Sequence, residues 1–316
     1  MMMGPWATQF LADMGAEVIK VERPGVGEWE RGLPAAGQLL GGQSAFFLAM
    51  NRNKKSLALN LKGPRARDVI RKLAASCDLV TENFRPGVLD RLGMGYEDLR
   101  QVNPSIVYVS GTGFGADGPY VRRPGQDLLI QAMSGLAAYG GRRGDPPTPC
   151  GSSVVDASTA LLLAYSAMVA LFHRERTEEG QKVEVNLFAT AVALQCQEFT
   201  AFLNSDGGFE RSEAGIGGAW LAAPFGIYRT ADGWIALSMM SLATLGEVLG
   251  MPELAAYEGD GPAFRDRDEV KRLLEPVIAR PRPRTGWRCS ARATCGVRRC
   301  RTSLTWNTTR RWSTRD

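Results

Sequence analysis

Histidine is almost missing. One residue, His173, serves a chain of 316, so any acid–base relay built on an oriented imidazole is confined to that position. Cysteine is scarce and scattered: Cys77, Cys150 and Cys196 lie in the body, Cys289, Cys295 and Cys300 near the end, and no C-x-x-C pair occurs. With one His and no metal-ligand spacing, no metal site is expected. Thiols so dispersed suit a reducing cytoplasmic setting. No uninterrupted apolar run reaches the roughly 18 residues of a membrane span, because the longest, Leu161 to Phe172, is broken by Tyr165 and Ser166. The opening MMMGPWATQF lacks the charged and apolar layout of a signal peptide. A cytoplasmic protein without a membrane partner is expected.

A basic surface is lacking too, once the tail is set aside. Residues 280–316 hold 11 of the 38 basic residues and one of the 33 acids, so the net charge of +5 becomes −5 for the remainder. A nucleic-acid partner is not expected. The tail itself, RPRPRTGWRCSARATCGVRRCRTSLTWNTTRRWSTRD, has no apolar period of 2 or 3.6 and offers no core face. Arg, Cys, Trp and Thr dominate it, the mix that GC-rich coding sequence yields out of frame. With permissive codons, Val297 to Thr314 read one base earlier can give APVQDFADLEHDPQVVH, a globular-looking segment. Residues 281–316 are expected to be a frameshifted, disordered tail, with an in-frame basic tail as the alternative. A clean open frame around codon 280 would remove the frameshift reading.

What remains is ordinary globular composition, 44% hydrophobic and 22% charged over the whole chain, in a length that suits one large domain or two. Trp6 to Met14 reads as a helix stopped by Gly15, followed by a strand from Glu17 to Val21. SLALNL is a short strand, and PRARDVIRKLAASC an amphipathic helix with Pro64 in an N1-like place. DLVTENF is a strand, and VLDRLGMGYEDLRQVNP is helical with breaks at Gly93 and Gly95. IVYVSGTGF is an apolar strand entering a glycine loop; LLIQAMSGLAAYG and DASTALLLAYSAMVALFHRER are helices; KVEVNL alternates as a strand. Helices alternating with apolar strands imply an α/β fold with a largely parallel sheet. SDGGFERSEAGIGG reads as an exposed connection, FGIYRTADGWIALSM as a hairpin turning at Ala231-Asp232-Gly233, and Ser241 to Leu249 and Arg267 to Ile278 as helices. The expected organisation is a large domain over 1–204, a glycine-rich linker over 205–217, a small α+β domain over 218–280, and the tail. An α/β domain normally opens on a buried strand, whereas this chain opens on a helix. The first strand is expected to be missing.

Three features invite chemistry. SGTGFGADG follows a strand, but its glycines are not spaced G-x-G-x-x-G and no helix opens there, so it reads as a plain loop rather than a dinucleotide site. His173 lies 17 residues beyond Asp156 on one helix, about 25 Å away at ~1.5 Å per residue. Beside Arg174 and Arg176 it suits the helix C-terminus, and it reads as structural. Carboxylates are left. Asp156, in GSSVVDASTALLLAY, is open to two readings: the N-cap of an apolar helix, or a nucleophile presented at a strand-to-helix turn.

Longer blocks carry a resemblance. GPWATQFLADMGAEVIKVERPG, NRNKKSLALNLK, TENFRPGVLDRLGMGYEDLRQVNPSIVYVSGTGFGADGPY and PPTPCGSSVVDASTALL resemble the type III CoA-transferases, the group of formyl-CoA transferase and crotonobetainyl-CoA:carnitine CoA-transferase, in the superfamily of alpha-methylacyl-CoA racemase. The likeness runs from Gly4 to about Ile278, and the alternative-frame string APVQDFADLEHDP is similar to the family's C-terminal region. The resemblance implies a Rossmann-like large domain with a parallel sheet, a smaller α+β domain, and two subunits interlocked as a homodimer. It implies that Asp156 attacks an acyl-CoA thioester and passes through a mixed anhydride and an aspartyl-CoA thioester before a small carboxylic acid accepts the CoA. It implies CoA contacts at Arg23, Leu59, Lys62, Asn83, Phe84, Val88 and Arg91, with no tightly bound cofactor and CoA entering only as the thioester substrate. Gln126 stands where the family has the tyrosine of PGYD and where the racemases carry the histidine of GHD. Because glutamine cannot relay a proton, transferase is preferred to racemase. The resemblance also sets Gly215 to Gly218, GIGG, against the family's glycine loop. A racemase or isomerase and an inactive truncated remnant stay open as alternatives.

Overall fold

Short apolar strands separated by helices pair in parallel, since each crossover returns the chain to the same edge. The computed structural model, which describes residues 2–205, 210–280 and 297–300, divides into two compact units. One comprises residues up to 134 together with 150–196, and the other 135–149 together with residues from 197 onward.

The first unit runs α1 (Met3–Asp13), β1 (Val18–Glu22), α2 (Ala45–Asn51), β2 (Lys54–Ala58), α3 (Ala66–Ala74), β3 (Leu79–Glu82), α4 (Val88–Arg91), α5 (Tyr96–Leu99), β4 (Val107–Thr112), α6 (Asp127–Met133), α7 (Val154–Thr177), β5 (Gln181–Asn186) and α8 (Leu187–Leu194). All its strand pairs are parallel, so the expected α/β class with parallel sheets holds. β1 pairs with β2 from Val18↔Lys54 to Glu22↔Ala58. β4 lies between β3 and β5, with Leu79↔Val107 and Val107↔Gln181 in register. Flanked on both sides, β4 is buried throughout, whereas β3 is half-buried at all four positions.

Above β4 lie α1 and α7. A Cβ on Gly111 would come within 2.9 Å of Met3 Cε and 3.1 Å of Leu163 Cδ1, so glycine there lets both helices press on the strand. The inner face of α7 is made of small and apolar residues, Val155, Thr159, Ala160, Leu163, Ala167 and Ala170, all buried. By length and composition α7 could cross a membrane. The sequence expectation counted only unbroken apolar runs, and a helix also tolerates Ser158, Thr159, Tyr165 and Ser166. Here one face of α7 is spent on the core of the unit.

β1 ends on an ion pair. Glu22 is 5% exposed, and its Oε2 accepts from Arg31 Nε (2.8 Å) and the Glu28 N–H (2.9 Å). Its Oε1 accepts from Arg31 Nη2 and Ser56 Oγ, both at 2.8 Å. These four donors, the Arg31 guanidinium foremost, hold the Glu22 carboxyl down at about 2. The pair ties the loop after β1 back to both strands of the sheet.

In the second unit α9 (Cys196–Leu203) leads to a hairpin of β6 (Gly226–Thr230) and β7 (Gly233–Leu237), then α10 (Leu242–Leu249), α11 (Asp260–Arg265) and α12 (Arg267–Ile278). The hairpin turns at Ala231-Asp232 and closes on Thr230↔Gly233, as its sequence requires. Tyr228, Ile235 and Leu237 from the hairpin join Leu254, Val270, Leu274 and Ile278 in one core. In the stretch expected to be an exposed connection, Ser212, Ala214 and Ile216 are buried. Lys271 explains why: its Nζ donates to Gly215 O (2.5 Å) and Ile227 O (3.1 Å), pinning the stretch to β6. Of the tail, β8 (Val297–Arg299) pairs antiparallel with β7, and the Cys300 N–H donates to Trp234 O at 2.9 Å. The rest of the tail lies outside the described residues.

Candidate active site

Loops that leave the carboxyl ends of parallel strands converge on one edge, which is where α/β sheets build sites. In the first unit β3 runs into Asn83 and Phe84, β4 into Gly113, and β5 into Leu187. With Gln126, Asp127, Ser153 and Asp156 these residues line a cleft of about 560 Å³, joined by Trp29, Arg85 and Arg123.

Two glycines let the cleft form. A Cβ on Gly125 would lie 2.4 Å from Gly113 Cα, and one on Gly113 would lie 2.8 Å from Gly125 Cα. The backbone leading to Gln126 thus rests directly on the end of β4. SGTGFGADG is accordingly a packing stretch, in which Gly111 admits α1 and α7 and Gly113 admits Gly125. Gly125→Ala is expected to cost about 1–3 kcal/mol, the usual range for overpacking. A urea-unfolding midpoint unchanged from the parent would contradict this close approach.

Asp156 is the third residue of α7, not its cap. The residue with non-helical torsions is Ser153 (φ −75°, ψ 66°), which makes no side-chain capping bond. The N–H that needs a cap is that of Asp156 itself, and it donates to Asp127 Oδ2 at 2.8 Å. Nor do residues 146–153 form a strand; α7 is entered from irregular chain. Asp127 is held in turn by Gln131, whose Nε2 donates to Asp127 Oδ1 and whose Oε1 accepts the Cys150 N–H at 2.8 Å. Gln131 is buried at 2% exposure. A chain of hydrogen bonds therefore runs from the loop before α7, through α6, to the start of α7. It leaves the Asp156 carboxylate available to the cleft.

Burial, and then the charge of Asp127, push the Asp156 carboxyl up to about 6. At neutral pH it is still mostly ionised, and it is more basic than an ordinary carboxylate. Nearby Glu30, fully buried, is also raised, by burial first and then by Glu28 and Asp156. Cations stand at the rim: Arg123, stacked over Tyr120 at 4.4 Å, and Arg85. His173 is exposed near the far end of α7.

The sequence candidates fall into three groups. Asp156, Asn83, Phe84 and Gln126 share the cleft. Val88 and Arg91, on α4, line an adjoining cleft with Arg122 and Tyr108. Arg85, Pro86, Thr112 and Val121 line both clefts, so the two are neighbours. Arg23, after β1, and Lys62 are exposed. Leu59, after β2, is half-buried and donates its N–H to Glu22 O at 2.8 Å. These three line neither cleft. Asp127, Gln131 and Arg85 were not singled out in the sequence, although Asp127 and Gln131 stand at the i, i+4 spacing of neighbours on a helix.

Fold and cleft together define an α/β protein that presents a half-buried carboxylate, beside a second one, at the carboxyl edge of a parallel sheet. The comparisons with known proteins give that class a family. The model of CoA-transferase family III matches residues 1–303, and the chain belongs to that family. It is 36% identical over 285 residues to succinyl-CoA:glutarate CoA-transferase of Mus musculus, covering 87% of this chain and 64% of that protein. It is 33% identical over 297 residues to acetyl-CoA:oxalate CoA-transferase of Acetobacter aceti, covering 90% of this chain and 73% of the other. Among solved structures, a CaiB/BaiF family protein from Brucella suis superposes with a TM-score of 0.77 at 32% identity, over 89% of this chain and 75% of its own. The chain thus spans a little under two thirds of the mouse relative's length.

Proposed function

We propose that the chain carries the active site of a CoA-transferase that moves CoA from an acyl-CoA thioester to a small carboxylic acid, with Asp156 as nucleophile. The observation that carries this is the Asp156 carboxylate: raised to about 6, capped through its own N–H by Asp127, and facing the cleft that holds Asn83, Phe84 and Gln126. A carboxylate kept basic by burial attacks a thioester better than one in water.

The steps balance without a proton. An Asp156 oxygen bonds to the thioester carbonyl carbon, the C–S bond breaks, and CoA leaves as thiolate from a mixed anhydride. The thiolate attacks the aspartyl carbonyl, expelling the donor acid as carboxylate and leaving an aspartyl-CoA thioester. The acceptor carboxylate attacks that thioester and the thiolate leaves again. Attack of the thiolate on the acceptor's acyl carbon then forms the new acyl-CoA and frees Asp156. The amides of Asn83 and Gln126 are placed to donate to oxyanions that develop in the cleft, and the N-terminus of α7 favours negative charge there. Arg85 and Arg91, in the adjoining cleft, are suited to CoA phosphates, and the reading extends the CoA contacts to Leu59, Val88, Arg23 and Lys62. Gln126 in place of histidine supports transfer over racemisation.

The reading includes a Rossmann-like large domain, a cytoplasmic setting and an interlocked homodimer. What supports the dimer is the outer face of α7, where Leu161, Tyr165, Met168 and Phe172 are more than half exposed, an apolar surface that a subunit partner would cover. The test is chemical. Incubated with succinyl-CoA and hydroxylamine, the chain should acquire a hydroxamate at Asp156, located by peptide mass spectrometry. A label on another residue, or none, would overturn the assignment.

A further inference from the structure

Gln131 holds two parts of the site without lining either cleft. It is 2% exposed and stands one turn beyond Asp127 on α6. Its amide uses both ends: Nε2 donates to Asp127 Oδ1, and Oε1 accepts the Cys150 N–H at 2.8 Å. These partners fix its orientation. With oxygen and nitrogen exchanged, an N–H would face an N–H, and an oxygen would face a carboxylate. An ionised glutamate at this position would lack the donor, and a methionine would lack both groups.

What Gln131 holds decides where Asp156 sits. α7 is entered from irregular chain, and Ser153 makes no side-chain capping bond. The first main-chain bond of the helix joins the Ala157 N–H to Ser153 O at 3.0 Å. The Asp156 N–H comes one residue earlier and is held by Asp127 Oδ2 at 2.8 Å. An aspartate side chain has several rotamers open to it. Bonds at both oxygens of Asp127, from Gln131 and from Asp156, select one. The bond to Cys150 fixes the other end of the segment, which runs through Ser153 in the wall of the cleft. A reacting group misplaced by about 1 Å can lose on the order of 10²-fold in rate.

We infer that Gln131 is a positioning residue for the Asp156 nucleophile, clamping residues 150–156 at both ends, directly at Cys150 and through Asp127 at Asp156. The role rests on the reading of Asp156 proposed above. It carries a consequence for charge. The groups that face Asp156 are Asp127 from α6, Glu30 after β1, and the cations Arg85 and Arg123 of the cleft wall. Of these, Asp127 is the one that Gln131 holds. Its charge is the second cause, after burial, of the raised Asp156 carboxyl. Released from Gln131, Asp127 is free to turn away, and its repulsion of Asp156 weakens.

The test uses the full chain and follows isotope exchange between labelled succinate and succinyl-CoA. Gln131→Met keeps length and volume and removes both bonds. It is expected to lower kcat at least about tenfold, with KM for succinyl-CoA within about twofold of the parent. The acid limb of the activity–pH profile, near 6 in the parent, should move down by at least about 0.5. In an Asp127→Asn background, where no charge is left to hold, the same substitution should leave the limb in place. Amide hydrogen exchange at Cys150 and Asp156 should quicken at least about tenfold. Gln131→Glu, nearly isosteric, restores both bonds while protonated and loses the donor on ionisation. Its rate relative to the parent should therefore fall at least about tenfold from about pH 5.5 to about pH 8.5. Parental exchange at both amides would overturn the clamp whatever the activity. So would a lowered kcat with an unmoved limb, a raised KM at unchanged kcat, or a glutamate-to-parent ratio constant with pH. A parent that takes no hydroxamate at Asp156 would remove the underlying reading, and this role with it. A hydroxamate in the parent alongside parental kcat in the methionine variant would overturn the role alone.

Discussion

Asp156→Asn is expected to abolish CoA transfer, by at least about 10³-fold, while making the protein more stable at neutral pH. The first effect follows from removing the carboxylate proposed as nucleophile. The second follows from the raised carboxyl. Its value of about 6 in the folded chain exceeds the ordinary 3.8, so the folded state holds this proton more tightly than the unfolded one. The contribution of protonation is complete below about pH 4 and is lost as pH rises through about 6. Two pH units correspond to roughly 3 kcal/mol, an upper bound for the gain on replacing the carboxylate by a neutral amide of the same shape. Chemical denaturation at pH 7.5 and at pH 4 measures it: the variant should gain at the higher pH and little at the lower. A variant less stable than the parent at pH 7.5 would contradict the charge repulsion between Asp127 and Asp156. The parent's activity should also decline as pH falls through about 6, when the nucleophile becomes protonated.

Glu22→Gln is expected to produce the largest loss of stability, about 3 kcal/mol, because it leaves Arg31 facing a neutral amide in a buried setting. For a unit of this size such a loss lowers the thermal midpoint by roughly 6–12 °C. The pH dependence has the opposite sign to that of Asp156. With its folded value down at about 2, Glu22 contributes fully above the ordinary 4.5 and loses that contribution as pH falls through about 2. Stability curves of parent and variant should therefore run parallel above pH 5 and converge in acid. Parallel curves down to pH 2 would show that the ion pair does not carry the difference.

Local patterns gave away much of this fold. Arg267 to Ile278 was legible as a helix to the residue, because an acidic first turn and an apolar stripe mark it unaided. The hairpin was legible because Asp232-Gly233 fits only a tight turn. β2, by contrast, lies at Lys54–Ala58, two residues ahead of the apolar SLALNL pattern, because parallel pairing with β1 decides its register. Likewise α7 begins two residues before Asp156, since its first turn is capped from another helix. That partnership joins residues 127 and 156, and no local rule reports it. Asp156 as a chemical group was legible only through the scarcity of histidine and a family resemblance. Its environment is a product of three-dimensional packing.

The Asp127–Asp156 pair sets the resting enzyme against its own intermediates. On the proposed route, every covalent form of Asp156, anhydride or thioester, is uncharged. Acylation therefore discharges the same repulsion and burial cost that protonation does, up to roughly 3 kcal/mol. The free carboxylate is the high point of the cycle on the protein's side, and an aspartyl thioester is held nearer in energy to the substrate thioester than an exposed aspartate would hold it. On that proposed route such a cleft keeps the two half-reactions close to balance, and the acids in solution dictate the direction of turnover.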